Sequence, residues 1–186
     1  MKKHLVLAAG LALAAVSAPA FAEGQGFVRF EGGSSDLDFN VDGFSDSDED
    51  TAFGVRGGYW FNPNIAIEGF DSRYYSHAFD DGFDTASLKL HGVGVGVVAK
   101  KNFGGEQQGF YIGGRAGIAR GVATVDYDGD VEEAEAGDVK PYFGVGLGYD
   151  FSPAIGLGVS YDQIRSGGDG VDVTAKTVTL GLELRF

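Results

Sequence analysis

The stretch TVTLGLELRF at residues 177–186 decides the fold class. Its apolar side chains recur at every second position, and threonine, glycine, glutamate and arginine occupy the positions between them. The apolar positions are Val178, Leu180, Leu182, Leu184 and Phe186. A period of two residues puts successive side chains on opposite faces of a β-strand. We therefore predict a strand here, with one apolar face and one polar face.

The same alternation recurs through the rest of the chain. Residues 139–151 (VKPYFGVGLGYDF) place apolar side chains on one face, with glycine, Lys140, Tyr142 and Asp150 on the other. After residue 22 there is no run of ~20 apolar residues, the length that a transmembrane helix needs. We predict an all-β chain with eight antiparallel strands in up-and-down order. Their predicted ranges are 25–39, 52–61, 64–75, 85–100, 109–125, 139–151, 154–161 and 173–186.

Short and long connections alternate between these strands. Turns at residues 61–64 and 151–153 are tight, and the connection at residues 101–108 is of modest length. Long loops are predicted at residues 40–51, 76–84, 126–138 and 162–172. These four segments hold 18 acidic residues and one basic residue, Arg165. Membrane β-barrels show this alternation, with short periplasmic turns and long outer loops. We therefore expect acidic extracellular loops.

The first 22 residues have the features of an export signal. Lys2 and Lys3 precede an apolar run at residues 5–16, and Ala20-Phe21-Ala22 is a small-x-small cleavage site. We predict that Ala20 and Ala22 direct cleavage, with residues 1–22 as the signal peptide and 23–186 as an outer-membrane barrel domain. The chain has no cysteine, which excludes a lipid-anchored form and a disulfide scaffold.

The composition of the two strand faces separates a membrane barrel from a soluble one. The richer face is apolar, whereas the other holds glycine, serine, threonine and charges, as expected for lipid outside and a polar interior. A soluble barrel for an apolar ligand would reverse the two faces. Eight strands enclose a space that side chains just fill, so inward ions among glycines are expected. The predicted interior ion network is Arg29, Glu31, Arg56, Glu68, Lys89, Arg115, Glu183 and Arg185, with Asp150 also inward.

Local patterns add three expectations. Alternation breaks near residues 68–70 and 91–92, where β-bulges would restore it. His91, next to the second break, is expected to fill interior space. Aromatic girdles are expected at the two membrane interfaces. The predicted girdle residues are Tyr59, Trp60, Phe61, Phe103, Phe151 and Phe186 on the periplasmic side, and Phe70, Tyr74, Tyr75, Tyr127 and Tyr161 on the outer side.

The final residues TLGLELRF resemble the recognition signal of bacterial outer-membrane barrels. Thr179, Gly181, Leu182, Leu184 and Phe186 carry this resemblance. It implies insertion by the barrel-assembly machinery. These residues are therefore expected to form the assembly signal.

The chain from about residue 24 onward is similar to the family of the OmpA membrane domain and OmpX-type barrels. The resemblance rests on GVRGGYWFNPNIAIEGF, FYIGGRAGIARG and YFGVGLGYDFSPAIGLGVSY. It implies an eight-stranded barrel in the outer membrane of a Gram-negative bacterium, in contact with outer-membrane lipids and lipopolysaccharide. It also implies that Glu68 meets an inward cation, either Arg115 or Lys89.

Catalytic, nucleotide-binding and metal-binding patterns are weak. The glycine runs do not form GxGxxG between a strand and a helix, and a Ser76-His77 pair with Asp80 nearby lies in a predicted loop. The acidic runs at 46–50 and 126–130 lack the glycine and glutamate of a helix–loop–helix calcium site. We predict no enzymatic activity, no cofactor and no specific metal site, while loose binding of divalent cations at the acidic loops stays open. The net charge of −13 argues against a nucleic-acid partner.

These observations favour a monomeric barrel with a structural or surface-interaction role. Three alternatives remain at this point. One is a narrow pore for small solutes, and another is an outer-membrane lipid-modifying enzyme. The third is a soluble periplasmic protein that binds an apolar ligand.

Overall fold

The computed structural model describes residues 24–41, 44–80, 85–105, 107–127, 130–168 and 171–186. Eight antiparallel strands pair in sequence order, and β1 pairs with β8 to close a barrel. In the described residues, no helix has the length and apolarity to cross a membrane. The predicted eight-stranded barrel is confirmed. The strands are β1 (Gln25–Val41), β2 (Phe44–Asn62), β3 (Ile65–Asp80), β4 (Thr85–Asn102), β5 (Gly109–Tyr127), β6 (Asp130–Ser152), β7 (Ile155–Gly168) and β8 (Val171–Arg185).

The apolar faces of the strands point out of the barrel. On β8, the side chains from Val178 to Phe186 on the apolar face are 38–55% exposed, whereas Thr179, Glu183 and Arg185 between them are buried. Every other strand also carries exposed large apolar side chains. This arrangement suits a wall that contacts acyl chains and encloses polar groups. It is the reverse of a soluble barrel with an apolar interior.

The barrel has a turn end, where the short turns lie. Asn62 Oδ1 accepts hydrogen bonds from the backbone N–H groups of Asn64 (2.8 Å) and Ile65 (2.9 Å). Ser152 has the same role in the β6–β7 turn. Gly109 ends the β4–β5 turn with φ +94°, a conformation that glycine adopts without steric cost. The short turns predicted from the sequence are therefore confirmed.

At the opposite end, which we call the hairpin end, the strands continue where the sequence predicts loops. β1 and β2 stay paired up to Val41 and Phe44, and β5 and β6 up to Tyr127 and Asp130. Most of residues 40–51, 76–84, 126–138 and 162–172 are thus strand, which corrects the loop prediction. Outside a bilayer, both faces of a hairpin contact water. Its strands therefore do not need to alternate apolar and polar residues, and the pattern that predicts strands from a sequence is missing there.

Of the two predicted breaks in register, the one near residues 91–92 coincides with a register shift and the one near residues 68–70 does not. Residues 68–70 pair without interruption with both β2 and β4, so the predicted bulge there is wrong. The shift in β3 falls between Arg73 and Tyr75, opposite His91 and Leu90. The apparent break near residue 70 has another cause, because Phe70 points inward and Asp71 outward without any change of register.

Candidate functional site

Ionised side chains fill the middle of the barrel. We call this set the central ion group, and none of its side chains is more than 9% exposed. It contains three cations and three anions, so its formal charges cancel. Its members are Arg29, Arg56, Arg115, Glu31, Glu68 and Asp162.

Glu31 on β1 is the hub of the central ion group. Its Oε2 accepts a hydrogen bond from Arg56 Nε at 2.7 Å, and its Oε1 accepts one from Arg115 Nη1 at 3.1 Å. Arg29 Nε lies 2.9 Å from Oε1, an ion-pair distance, but at an angle that makes no hydrogen bond. One carboxylate thus contacts arginines from three strands. Charge-assisted contacts of this kind are among the stronger polar interactions in proteins.

Glu68 on β3 has a different partner from the one expected. Arg56 Nη1 donates to Glu68 Oε1 at 3.1 Å, and the Tyr142 hydroxyl donates to the same oxygen at 2.6 Å. The expected Glu68–Arg115 pair does not form, and the side chain of Lys89 lies outside the described residues. Arg56 is closer for a simple reason: it lies on β2, which is directly paired with β3.

Asp162 on β7 lies inside the barrel and not in a loop. It receives two hydrogen bonds from the Arg115 guanidinium, one of them from Nε at 2.6 Å, and Arg56 Nη2 is 3.6 Å away. The alternation of residues 155–161 simply continues to residue 162. A Cβ atom at Gly144 would collide with this carboxylate, which explains one of the interior glycines.

A second set, the turn-end ion group, lies near the short turns. Asp150 Oδ2 accepts hydrogen bonds from Lys100 Nζ at 2.9 Å and from Asn102 Nδ2 at 2.7 Å. Its Oδ1 accepts one from Arg185 Nη2 at 2.6 Å, and Arg185 Nε donates to Glu183 Oε1 at 2.5 Å. The group therefore connects β4, β6 and β8.

Lys100 belongs to this group, although the pattern of residues around it does not predict this. It follows Gly92, Gly94 and Gly96 on the same strand face, but Val98 interrupts the polar pattern just before it. Trp60 explains how the lysine is accommodated, because Lys100 Nζ lies 4.5 Å from the centre of its ring. A cation over an aromatic face is attracted by the ring quadrupole.

Three aromatic residues predicted for the girdles are interior residues instead. Trp60, Phe70 and Tyr74 are at most 5% exposed. Phe70 packs edge-on against Tyr142 at 4.9 Å between ring centres, and Arg56 Cζ lies 4.4 Å from the centre of its ring. These rings fill space next to the ion groups. Of the other predicted girdle residues, Phe61, Phe103, Phe151, Phe186 and Tyr161 are exposed, Tyr59 is half-buried, and the side chains of Tyr75 and Tyr127 lie outside the described residues.

His91 is on the outer wall, so its expected interior position is wrong. Its Nδ1 lies 3.8 Å from Asp71 Oδ1, and these two side chains are 34% and 50% exposed. The inward position belongs to the next residue, Gly92, where a Cβ atom would collide with the Tyr74 ring. Tyr74 therefore occupies the space that His91 was expected to fill.

Little space remains between the two ion groups. One cavity of about 40 Å³ is lined by residues that include Arg29, Lys100, Glu183 and Ser160. Since a buried water needs roughly 10–15 Å³ of such volume, the cavity has room for only a few waters. Arg29 Nη2 donates to Ser160 Oγ across this region at 2.8 Å. Across the residues that the structure describes, no cluster of His, Asp and Glu has a metal-binding arrangement.

The residues of the expected assembly signal lie on β8 and just after it. Thr179 and Gly181 face inward, and Leu184 and Phe186 face outward. Phe186 exchanges two backbone hydrogen bonds of 2.9 Å with Gly26, which completes the seam between β1 and the end of the chain. Ala20 and Ala22 lie outside the described residues, as do the side chains of Ser76, His77 and Asp80.

Comparisons with known proteins agree with this architecture. The family model described as outer membrane protein beta-barrel domain matches residues 8–186. No curated protein sequence matches the chain. The crystal structure of Neisserial surface protein A (NspA) superposes with a TM-score of 0.61 at 18% identity, over 87% of this chain and 97% of that one.

Two further solved structures show the same fold. Ail, the attachment invasion locus protein of Yersinia pestis, in complex with the heparin analogue sucrose octasulfate, gives a TM-score of 0.55 at 19% identity, over 86% of this chain and 99% of that one. The N-terminal β-barrel domain of Pseudomonas aeruginosa OprF gives 0.53 at 16% identity, over 88% and 100%.

Proposed function

Because the chain belongs to the outer membrane protein β-barrel domain family, we propose that it is a closed structural barrel that presents acidic hairpins at the surface of a Gram-negative cell. Its membrane part would support the envelope, and its hairpins would make contacts outside the cell. We propose neither an enzymatic activity nor a cofactor.

The filled interior is the observation that carries this proposal. The central ion group joins β1, β2, β3, β5 and β7, and the turn-end ion group joins β4, β6 and β8. The two groups approach each other where Arg29 Nη1 lies 3.9 Å from Glu183 Oε2. In the described part of the interior, the cavity of about 40 Å³ is far smaller than an aqueous channel. A structural and surface role therefore fits better than solute passage.

The hairpin end supports the surface role. The four segments predicted as loops hold 18 of the 27 acidic residues of the chain, all but the interior Asp162 available to the hairpin end, and their described residues continue as paired strands. Ail is named for attachment and invasion, and NspA as a surface protein, which agrees with this direction. The Ail structure holds a polyanion, whereas acidic hairpins would repel one. We therefore expect a cationic partner, or divalent cations that bridge the hairpins to lipopolysaccharide.

Planar-bilayer recording of the purified barrel tests the closed interior. We expect a silent bilayer, because the ion groups leave no continuous water path. A double variant, Arg115→Ala with Asp162→Ala, is the positive control, since it removes a central ion pair without leaving one partner unpaired. Steady single-channel openings of the wild-type barrel would contradict the proposal and favour a narrow pore.

We further propose that residues 1–22 are removed, that 23–186 form the mature barrel, and that the barrel is a monomer inserted by the barrel-assembly machinery. Thr179, Gly181, Leu184 and Phe186 would form the recognition signal. Recognition would depend most on Phe186. Deleting Phe186 should sharply reduce the heat-modifiable form in outer-membrane fractions. Phe151→Ala is the control, because Phe151 is also exposed at the turn end but lies outside the signal. Normal assembly without Phe186 would contradict this role.

A further inference from the structure

Strand β2 is paired on one side only at the hairpin end. Its pairing with β3 stops at Phe53 and Arg73, although β2 continues to Phe44 and β3 to Asp80. Over residues 44–52, the strands that the structure describes supply β2 with one partner, β1. We call this stretch the free edge of β2. An unpaired row of backbone N–H and C=O groups is a template on which another strand can pair.

A β-bulge in β3 explains why the two strands separate. The register of β3 against β4 shifts between Arg73 and Tyr75, so Tyr74 is an extra residue on β3. A bulge bends its strand and increases the local twist. At the point of separation, Arg73 Cζ lies 5.5 Å from the centre of the Phe53 ring. Beyond this point β3 stays paired with β4 and leaves β2.

The register shows which backbone groups lie along the free edge. Gly26 and Phe186 exchange two backbone hydrogen bonds, so the even-numbered residues of β1 direct their N–H and C=O groups towards β8. Because β1 pairs without a register shift on both sides, its odd-numbered residues bond to the even-numbered residues of β2. The odd-numbered residues of β2 therefore direct their backbone groups away from β1. In the free edge these are Ser45, Ser47, Glu49 and Thr51.

Thr51 shows how one of these donors is satisfied without a strand partner. Its backbone N–H donates to Asp50 Oδ1, on the neighbouring side chain, at 2.6 Å. Two residues further along, Phe53 is paired with β3. A local side-chain acceptor competes with the hydrogen bonds of a β-ladder. A carbonyl of an added strand could therefore replace the Asp50 carboxylate.

The free edge of β2 lacks the features that usually protect an edge strand. Strand β6 is also unpaired with β7 before Tyr142, but it carries Pro141 and a register shift against β5 close to Lys140. Proline and bulges hinder the addition of a strand. Residues 44–52 contain no proline and no glycine, and they pair with β1 without a register shift.

The charge of the free edge limits which strand can be added. Residues 44–52 (FSDSDEDTA) contain four acidic residues and no basic residue. A second copy of the chain would bring the same acids opposite one another, and like charges on facing strands are destabilising. A strand with basic side chains would instead match the edge in charge.

We propose that the free edge of β2 binds an extended cationic segment of another protein as an additional β-strand. The backbone groups of residues 45, 47, 49 and 51 would bind the backbone of that segment, and the acids would select lysine and arginine side chains. The inference rests on the proposed surface role, because it identifies the class of cationic partner that the hairpins would contact.

Two labelled peptides with blocked ends test the proposal by fluorescence anisotropy on the detergent-purified barrel. One is an octapeptide of alternating lysine and valine. The other, of alternating lysine and proline, has the same charge but lacks half of the backbone donors and favours a polyproline helix. We expect the lysine–valine peptide to bind about tenfold more tightly. Equal binding would overturn strand addition and leave a contact based on charge alone.

A matched pair of variants tests the edge itself. Ser47→Pro removes an N–H that faces away from β1, so no hydrogen bond between β1 and β2 is lost. Ser47→Ala is the control, because it removes the same hydroxyl and keeps the N–H. Neither variant changes the charge. We expect about tenfold weaker binding of the lysine–valine peptide to Ser47→Pro and unchanged binding to Ser47→Ala.

Equal affinities of Ser47→Pro and Ser47→Ala would overturn the edge site, whereas the cationic partner of the proposed function would stand. No binding of either peptide to the wild-type barrel would contradict both. If Ser47→Pro does not reach the heat-modifiable folded form, Ser45→Pro with Ser45→Ala gives the same comparison nearer the end of the hairpin.

Hydrogen exchange locates the bound peptide. The lysine–valine peptide should slow amide exchange at Ser45, Ser47 and Glu49, whereas Asp46 and Asp48, whose backbone groups face β1, should change little. Slowed exchange elsewhere on the barrel, with these amides unchanged, would overturn the proposal. Protection of the odd-numbered amides without peptide, in a sample with the mass of a dimer, would show that a second copy covers the edge instead.

Discussion

The two ion groups of the interior differ in how their contacts are connected. In the central ion group, Glu31 contacts three arginines and Arg56 contacts three acids, so these two residues are hubs with several partners each. The turn-end ion group is a chain in which Lys100, Asp150, Arg185 and Glu183 follow one another. In a network, a residue that loses one partner still has others. In a chain, removing an inner member separates the residues on its two sides. Stability should therefore depend on which residue is a hub, and not only on its burial.

Loss of the central hub should have the largest effect. Glu31→Ala leaves Arg29, Arg56 and Arg115 facing one another, with Glu68 and Asp162 as the remaining acids of the group and Glu183 3.9 Å from Arg29. Removing one partner of a buried ion pair typically costs about 3–5 kcal/mol, and we expect at least the upper part of this range. Urea titration, read from the heat-modifiable mobility of the folded form on gels, measures the loss. Glu31→Gln, which keeps the volume, should recover only part of it.

Loss of Asp150 should have the next largest effect. Asp150→Ala removes the only contact that joins Lys100 to Arg185 in this group, but Arg185 keeps its hydrogen bond to Glu183. We expect a loss of about 3 kcal/mol in the same titration. Asn102→Ala is the control, since it removes one uncharged donor from the same carboxylate. Equal losses for the two variants would show that the charge of Asp150 is not what matters.

Loss of Glu68 should have a smaller effect than either of these. After Glu68→Ala, Arg56 keeps Glu31 and stays 3.6 Å from Asp162, so no buried cation is left alone. The Tyr142 hydroxyl loses its acceptor, and an unsatisfied buried donor costs about 1–3 kcal/mol. Adding Tyr142→Phe to the Glu68→Ala variant should recover part of the lost free energy of unfolding, because the unsatisfied hydroxyl is removed. A cost for Glu68→Ala as large as that for Glu31→Ala would contradict the network description.

The sequence predicts the barrel well because its signal is periodic. Residues 177–186 and 139–151 alternate without interruption, and the alternation alone places Glu31, Arg56 and Arg185 inside. The pairing inside the barrel is not periodic, since it depends on which strands are neighbours and how far each side chain reaches. For this reason the expectation of Arg115 or Lys89 as the partner of Glu68 misses Arg56, which lies on the paired strand.

The prediction and the structure also differ where an apolar residue points into the barrel or a polar residue points outward. Phe70 is apolar but points inward, because the space beside Arg56 and Tyr142 suits a ring, and His91 is polar but points outward. The outward charges at Asp71 and Arg73 likewise have no periodic signal. Paired strands at residues 130–138 escape detection because acidic hairpins outside a membrane have no apolar face.

The orientation of the wall is the claim on which the rest depends, and spin-label accessibility tests it most directly. The chain has no cysteine, so single variants can be labelled cleanly. Val145→Cys should place a label in the bilayer, where it is relaxed by oxygen and not by a water-soluble nickel complex, because Val145 is 61% exposed on the apolar face. Asp36→Cys, at an exposed acidic position on β1 that pairs with Glu49 and Lys176 towards the hairpin end, should show the opposite preference. Strong relaxation of the Val145→Cys label by the nickel complex would contradict the account.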